Sequence, residues 1–251
     1  LLRGRRRVGE PGALSHLHER IEAGELSNRT SYGNEEIAGL YASYLASVAY
    51  SDRLVGELVE ELEARAGARG LVVMITADHG ENLAEHGDSA LAKHFGPWST
   101  SLRIPLVVAD SRVRAGGVRG SRVASHQRVP RLFLDAADRR LPTDSDAWAD
   151  AVEASLQLDP AFIYSQPWLV LVDDSLKVAI DRTDLAAAPI AHRWREDFED
   201  LQPLTPSAPI ERRWGELLAI HEQMQDAGLF EPPPELDPEK LEHLRALGYI
   251  E

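Results

Sequence analysis

An unbroken apolar run at residues 71–75 ends in the polar sequence TADHG at residues 76–80. The run does not alternate apolar with polar side chains, a pattern typical of a central parallel strand that is covered on both faces. Open α/β sheets hold their reacting groups just beyond the carboxyl ends of such strands. We therefore expect an α/β fold in which Asp78 and His79 lie where a metal ion or an anionic substrate is bound.

A long helix is predicted before this strand. Apolar residues recur at three- and four-residue intervals across residues 37–62, as in an amphipathic helix. Asn34 is the expected N-cap, and glycines at residues 67–70 are expected to end the helix. A second strand is predicted at residues 104–108 and a further helix at residues 129–137.

The pattern changes after residue 141. Three short β-rich segments with a turn between the last two predict a small antiparallel sheet. They lie at residues 162–164, 168–172 and 176–180. We also expect a helix near residues 210–227, a stiff proline spacer and a last helix that starts at Pro238. These patterns divide the chain into an α/β part, residues 1–145, and a C-terminal subdomain, residues 146–251.

Composition excludes several classes of function. The chain has 41 Asp and Glu against 27 Lys and Arg, a formal charge of -14. Such a surface repels phosphate backbones, so we expect no nucleic-acid partner, and an anionic substrate needs a local cationic pocket. There is no cysteine, which excludes disulfides and thiolate metal sites. No apolar run approaches the roughly 20 residues that cross a bilayer, so no membrane segment is expected in this chain.

The residues after His79 resemble a known family. Residues 81–87, Lys93 and the sequence RIPLVV at residues 103–108 are similar to the sulfatase family of the alkaline-phosphatase superfamily, and a similar tail returns at residues 244–250. The resemblance implies a mixed, mainly parallel sheet flanked by helices, with a small C-terminal antiparallel sheet subdomain. It also implies a sulfuric ester hydrolase that acts on a sulfated small molecule or glycan, in the periplasm or outside the cell.

The resemblance assigns roles to individual residues. Asp78 and His79 match the metal ligands of the family motif Thr/Ser-x-Asp-His/Asn-Gly. Lys93 matches the catalytic residue that contacts the sulfate. The stretch between Asp78 and Lys93 is longer than the common family pattern, so His94 is a competing substrate-binding candidate. Calcium is the usual metal of the family, and the softer imidazole ligand leaves manganese or iron open.

Other residues match the family with no chemical role implied. We expect structural roles for the loop residues Glu81, Glu85 and His86, for Asp52 in the long helix, and for His126 and Lys177. A shaping role in the loop is expected for the first three because residues beside metal ligands commonly orient them.

The family nucleophile is absent from this sequence. Sulfatases carry a Cys/Ser-x-Pro/Ala-x-Arg motif that matures to formylglycine, together with a pair of Asp ligands near the N-terminus, and no such motif occurs here. The chain therefore resembles the C-terminal half of a sulfatase, with formylglycine expected upstream and no activity expected of this fragment alone. The alternatives are a phosphonate or phosphodiester hydrolase of the same superfamily, and a non-catalytic sulfatase-like remnant.

Overall fold

The computed structural model describes residues 31–87, 94, 96–113, 120, 122–138, 140–197 and 199–230. The elements in chain order are α1 (Asn34–Ala66), β1 (Val72–Thr76), α2 (Ser99–Leu102), β2 (Leu106–Asp110), α3 (Val129–Ala137), α4 (Ser145–Leu156), β3 (Ala161–Ser165), β4 (Trp168–Val172), β5 (Lys177–Asp181), β6 (Ile190–His192) and α5 (Ala208–Asp226). Short 3-10 helices occur at Gly67–Arg69 and His126–Arg128. The expected helix starting at Pro238 lies outside the described residues.

The predicted long helix is confirmed as α1, which spans 33 residues. Its N-cap is Gly33, so the expectation that Asn34 caps the helix is wrong by one position. Gly33 has no capping side chain, but its N–H donates to Glu36 Oε2 at 2.9 Å. The reach of Glu36 back to this N–H, at the positive end of the helix dipole, therefore fixes the start of the helix.

The strand that leads to Asp78 is paired differently from the prediction. β1 pairs with β2 in antiparallel register, with Val72 opposite Asp110 and Thr76 opposite Leu106. In the part of the chain that the structure describes, β1 has no parallel neighbour, and its first four residues are only half-buried. The expectation of a parallel strand covered on both faces is therefore wrong within these residues. An apolar run specifies a strand, but it does not specify the direction of the neighbouring strand.

Two helices cover the β1–β2 pair. The predicted helix at residues 129–137 is confirmed as α3, with Pro130 in its first turn, where the missing N–H costs nothing. The following helix, α4, was not predicted, and Asp144 caps it by accepting from the N–H groups of Asp146 and Ala147. The buried residues that join these helices are Val113, Leu132, Leu141, Trp148, Val152 and Leu156. α4 starts at residue 145 and packs on α3, so the helix packing of the first predicted domain continues past the expected boundary. The division of the chain into two domains stays a prediction.

The predicted C-terminal antiparallel sheet is confirmed. Its strands lie in the order β3-β4-β5-β6, and every neighbouring pair is antiparallel. Helix α5 packs on this sheet through Ile210 and Leu217, and the buried sheet residues around them are Leu169, Leu171, Val178, Ile180 and Ala191. None of the helices described in this chain combines the length and apolar character that crossing a membrane requires.

Candidate metal and sulfate site

Asp78 and His79 follow the end of β1 directly. The His79 N–H donates to Asp78 Oδ1 at 3.0 Å. Just before them, Thr76 Oγ1 lies 2.9 Å from Nε2 of His126, which ties the strand end to the 3-10 helix that precedes α3. The Asp78 side chain is 88% exposed. The carboxylate therefore faces solvent at the carboxyl end of the strand.

The ionisation and tautomer of this pair suit metal binding. The pKa of Asp78 is held below its ordinary value because the carboxylate accepts backbone hydrogen bonds, from its own N–H and that of His79, beside the His79 ring. His79 Nδ1 lies 2.9 Å from the carbonyl oxygen of Gly80. Since a carbonyl only accepts, Nδ1 carries the proton, and Nε2 of the neutral ring keeps its lone pair for a metal.

Glu81 and His94 lie beside His79. One ligand atom from each of these three residues lies within 4.8 Å of the other two. The His79 and His94 rings stack at 4.2 Å between centroids. Glu81 Oε2 is buried and has no hydrogen-bond partner among the described residues. A buried carboxylate oxygen without a partner costs about 1–3 kcal/mol, and a bound cation would remove this cost. The residues present therefore fit a divalent metal.

The loop that carries these groups is built around Gly80. A Cβ at this position would lie 2.0 Å from the Thr100 carbonyl oxygen. Glycine therefore lets the loop lie against α2, where the Gly80 N–H donates to the Ser101 carbonyl oxygen at 2.6 Å. Asn82, which is buried, donates from Nδ2 to Ser101 Oγ at 2.7 Å. Gly80 and Asn82, on either side of Glu81, are thus both hydrogen-bonded to Ser101.

Glu85 fixes the far side of this loop. Its Oε2 accepts from the N–H groups of Leu83 and Ala84, at 2.8 and 2.9 Å. Its Oε1 accepts from the Tyr41 hydroxyl of α1 at 2.7 Å. These bonds hold the loop on the long helix, as expected of a residue that shapes the loop.

Comparison with known proteins identifies the family. Residues 15–138 match the family model described as Sulfatase. Iduronate 2-sulfatase of Mus musculus is 36% identical over 66 residues, and that of Homo sapiens is 37% identical over 65 residues. Residues 15–138, about half of the chain, therefore resemble the sulfatase family. Each match spans 26% of this chain and 11% of the curated relative.

A solved structure has a fold similar to that of this chain. It is a protein in complex with its substrate D-glucosamine-2-N,6-O-disulfate, superposed with a TM-score of 0.52 at 16% sequence identity. The superposition covers 85% of this chain and 46% of the solved one. At this identity the likeness establishes the fold alone, and it agrees with the expected alkaline-phosphatase-like α/β class. The present chain spans less than half of that protein.

The sequence predicted Asp78 and His79 as neighbouring metal ligands, and this assignment stays a prediction. The structure places His94, the competing substrate-binding candidate, against His79. Lys93 lies outside the described residues. Glu81 was expected only to shape the loop, yet its carboxylate reaches the imidazole pair. Its signal in the sequence was weak, because a Glu next to a glycine turn is ordinary in a loop.

Proposed function

We propose that this chain supplies the metal-binding half of a sulfuric ester hydrolase. The observation that carries the proposal is the cluster of His79, Glu81 and His94 after the end of β1. Asp78 lies beside it and accepts from the His79 N–H. The match of residues 15–138 to the Sulfatase family model supports sulfate ester chemistry at this position in the fold. The expected location in the periplasm or outside the cell follows from the family resemblance.

The proposed cofactor is a divalent metal held by Asp78 and His79 together with carboxylates from an upstream segment. Calcium is proposed on family resemblance, although the imidazole nitrogens beside Glu81 favour manganese or iron. A bound divalent cation polarises an ester oxygen and stabilises the charge that develops on it. The buried Oε2 of Glu81 is the further ligand atom that we propose from this chain.

Lys93 and His94 are the proposed groups for the sulfuryl oxygens. A cationic side chain beside the metal would stabilise negative charge on the transferred group. It would also provide the local positive potential that a chain of charge -14 otherwise lacks. The proposed substrate is a sulfated small molecule or glycan, supported by a structural relative bound to a disulfated glucosamine and by curated relatives named iduronate 2-sulfatase. The nucleophile, formylglycine, is proposed to lie upstream.

Hydrolysis of a chromogenic aryl sulfate tests the proposal. The 251-residue chain alone is expected to show no turnover. A polypeptide that joins it to a segment with the nucleophile motif is expected to hydrolyse the ester, and a chelator should stop the reaction. Asp78→Ala in that polypeptide should lower kcat/KM by at least about 100-fold, since it removes a ligand. Asp52→Ala, on the exposed side of α1, serves as the control and should leave turnover unchanged.

The same preparation separates the alternatives. Faster turnover of a phosphodiester or a phosphonate ester than of the sulfate would assign the chain to the other hydrolases of the superfamily. Normal sulfate turnover by Asp78→Ala would reject the ligand assignment. Absence of any turnover in the joined polypeptide would favour a non-catalytic remnant.

A further inference from the structure

A buried ion pair connects the C-terminal sheet to the start of α2. Lys177, the first residue of β5, is 2% exposed and forms an ion pair with Asp200. Its Nζ also donates to the Pro97 carbonyl oxygen at 2.7 Å and to Ser99 Oγ at 3.1 Å. The Asp200 carboxylate accepts from the N–H of Ser99 and, at 3.0 Å, from its hydroxyl. Both members of the ion pair therefore hold the first residue of α2.

α2 also contacts the candidate metal-binding loop. Ser101 accepts from the Gly80 N–H at its carbonyl oxygen and from Asn82 Nδ2 at its hydroxyl. The Thr100 hydroxyl donates to Asn82 Oδ1. Residues 80 and 82 flank Glu81, and residue 80 accepts the His79 ring bond. The loop that carries the proposed ligands is thus hydrogen-bonded to Thr100 and Ser101 of α2. The Lys177–Asp200 pair is hydrogen-bonded to Ser99, the first residue of the same helix.

α2 cannot set its own position. It has four residues, and an isolated helix of this length is unstable in water. Its geometry therefore comes from its neighbours. Ser99 and Ser101 are both buried, so hydrogen bonds from these serines are not replaced by water when a partner moves away.

Metal binding by the His192, Asp197 and Asp200 cluster is a weaker interpretation of the same region. These three residues have ligand spacing, but their oxygens already have partners. Asp197 accepts from the N–H groups of Leu201 and Gln202 and from His192 Nδ1. Asp200 accepts from Ser99 and Lys177, and the lysine ammonium already occupies the position of a cation.

We propose that Lys177 and Asp200 are positioning residues for the candidate metal site, because they fix α2 and α2 fixes the loop at residues 80–82. The C-terminal sheet then helps to fix the geometry of the candidate site. The inference rests on the proposed function only in naming the loop as a metal site. The mechanical link itself can be measured on the 251-residue chain without metal or substrate.

Hydrogen exchange of the Gly80 amide measures this link, because that amide donates to Ser101. Lys177→Met is expected to speed Gly80 exchange at least about tenfold relative to the Val170 amide of β4, which reports opening of the sheet. The double variant Lys177→Met/Asp200→Asn removes both charges and keeps a residue that tolerates the positive φ of 53° at position 200. It should give the same selective increase without leaving a buried unpaired charge.

Arg213→Met is the matched control. Arg213 forms a partly buried ion pair with Asp173 on the same sheet and is not bonded to α2. It should leave the ratio of Gly80 to Val170 exchange unchanged. The Nδ1 resonance of His79 gives a second measurement, since its bond to Gly80 should weaken only in the Lys177 variants.

Three results would overturn the inference. Equal acceleration of Gly80 and Val170 would mean general destabilisation, and unchanged Gly80 exchange would mean that α2 is held by other contacts. A selective effect of Arg213→Met as large as that of Lys177→Met would remove the specificity. If both Lys177 variants fail to fold, Ser99→Ala keeps the ion pair and should still speed Gly80 exchange selectively, at least about threefold. Selective exchange in the 251-residue chain, combined with no sulfate turnover by the polypeptide that joins it to the nucleophile segment, would reject the proposed function alone.

Discussion

The two sheets of this molecule differ in how they are held together. In the C-terminal sheet, Leu169, Val170, Val178 and Ala179 are fully buried, as is Leu217 of α5. In the β1–β2 pair, β1 is half-buried and Val107 of β2 is 46% exposed. The candidate site residues thus follow the less buried of the two sheets.

This contrast assigns different physical roles to the two regions. Burial of apolar surface is the largest favourable contribution to folding, and it is more complete in the strands of the C-terminal sheet than in β1 and β2. The loop at residues 80–82 is instead fixed by hydrogen bonds to α2, which in turn contacts Lys177 of that sheet. Hydrogen bonds therefore connect the well-packed C-terminal sheet, through α2, to the solvent-exposed candidate site.

The largest expected effect is in the C-terminal core. Leu217→Ala should lower the free energy of unfolding by about 2–5 kcal/mol, because it leaves a cavity between α5 and the sheet. Urea unfolding followed by circular dichroism measures the change. A loss no larger than that of Leu54→Ala, on the exposed side of α1, would contradict the assignment of the main core.

Gly80→Ala sharpens the comparison at the site. The added Cβ would meet the Thr100 carbonyl oxygen at 2.0 Å, so the loop or α2 must shift, at a cost of about 1–3 kcal/mol. Denaturant unfolding gives the stability, and the Asn82 amide resonance reports the displacement. Gly39→Ala on α1, where a Cβ meets nothing within 4 Å, is the control and should be neutral or stabilising. An unperturbed Asn82 in Gly80→Ala would show that the close approach is absent.

Acid should weaken the C-terminal region through Asp173. Burial alone would raise the pKa of Asp173, but N–H donors from Leu176 and Ser175 and the Arg213 guanidinium hold that pKa below its ordinary value. A lowered folded-state pKa contributes stability that is present above the unfolded-state pKa, about 3.9, and is lost as pH falls through the folded one.

Asp173→Asn measures this contribution. At neutral pH it should cost about 1–2 kcal/mol, because it removes the charged bond to Arg213. The difference in unfolding free energy from the unmodified chain should shrink as pH falls from about 6 to about 3. A difference that is constant over this range would mean that the carboxylate charge does not contribute.

The smallest expected effect is on the exposed face of β2. Val107→Ala should change the free energy of unfolding by less than about 0.5 kcal/mol, because nearly half of the side chain is already in water. Thermal or urea unfolding measures it. A loss as large as that of Leu217→Ala would show that another part of the chain covers this face, and the contrast between the two sheets would then be wrong.

Sequence patterns located most elements but not their partners. Helical periodicity predicted α1 and α3, and β-rich segments with a turn predicted the antiparallel C-terminal sheet. The local interpretation missed α4, although Asp144 is an ordinary N-cap and Trp148, Val152 and Leu156 recur at four-residue spacing. It also gave β1 a parallel neighbour, whereas β2 pairs with it antiparallel, since strand direction depends on contacts far apart in the chain.

The candidate site was also only partly predictable from the sequence. The sequence by itself determined that Asp78 and His79 follow a strand and that the motif is that of a sulfatase, because adjacent residues at a strand end stay adjacent in any fold. Only the tertiary structure brought Glu81 and His94 to the same point. Only the tertiary structure connected the loop to Lys177 and Asp200, through buried hydrogen bonds between residues far apart in the chain. Such contacts have no local signal, because they exist only after two separately formed sheets have packed together.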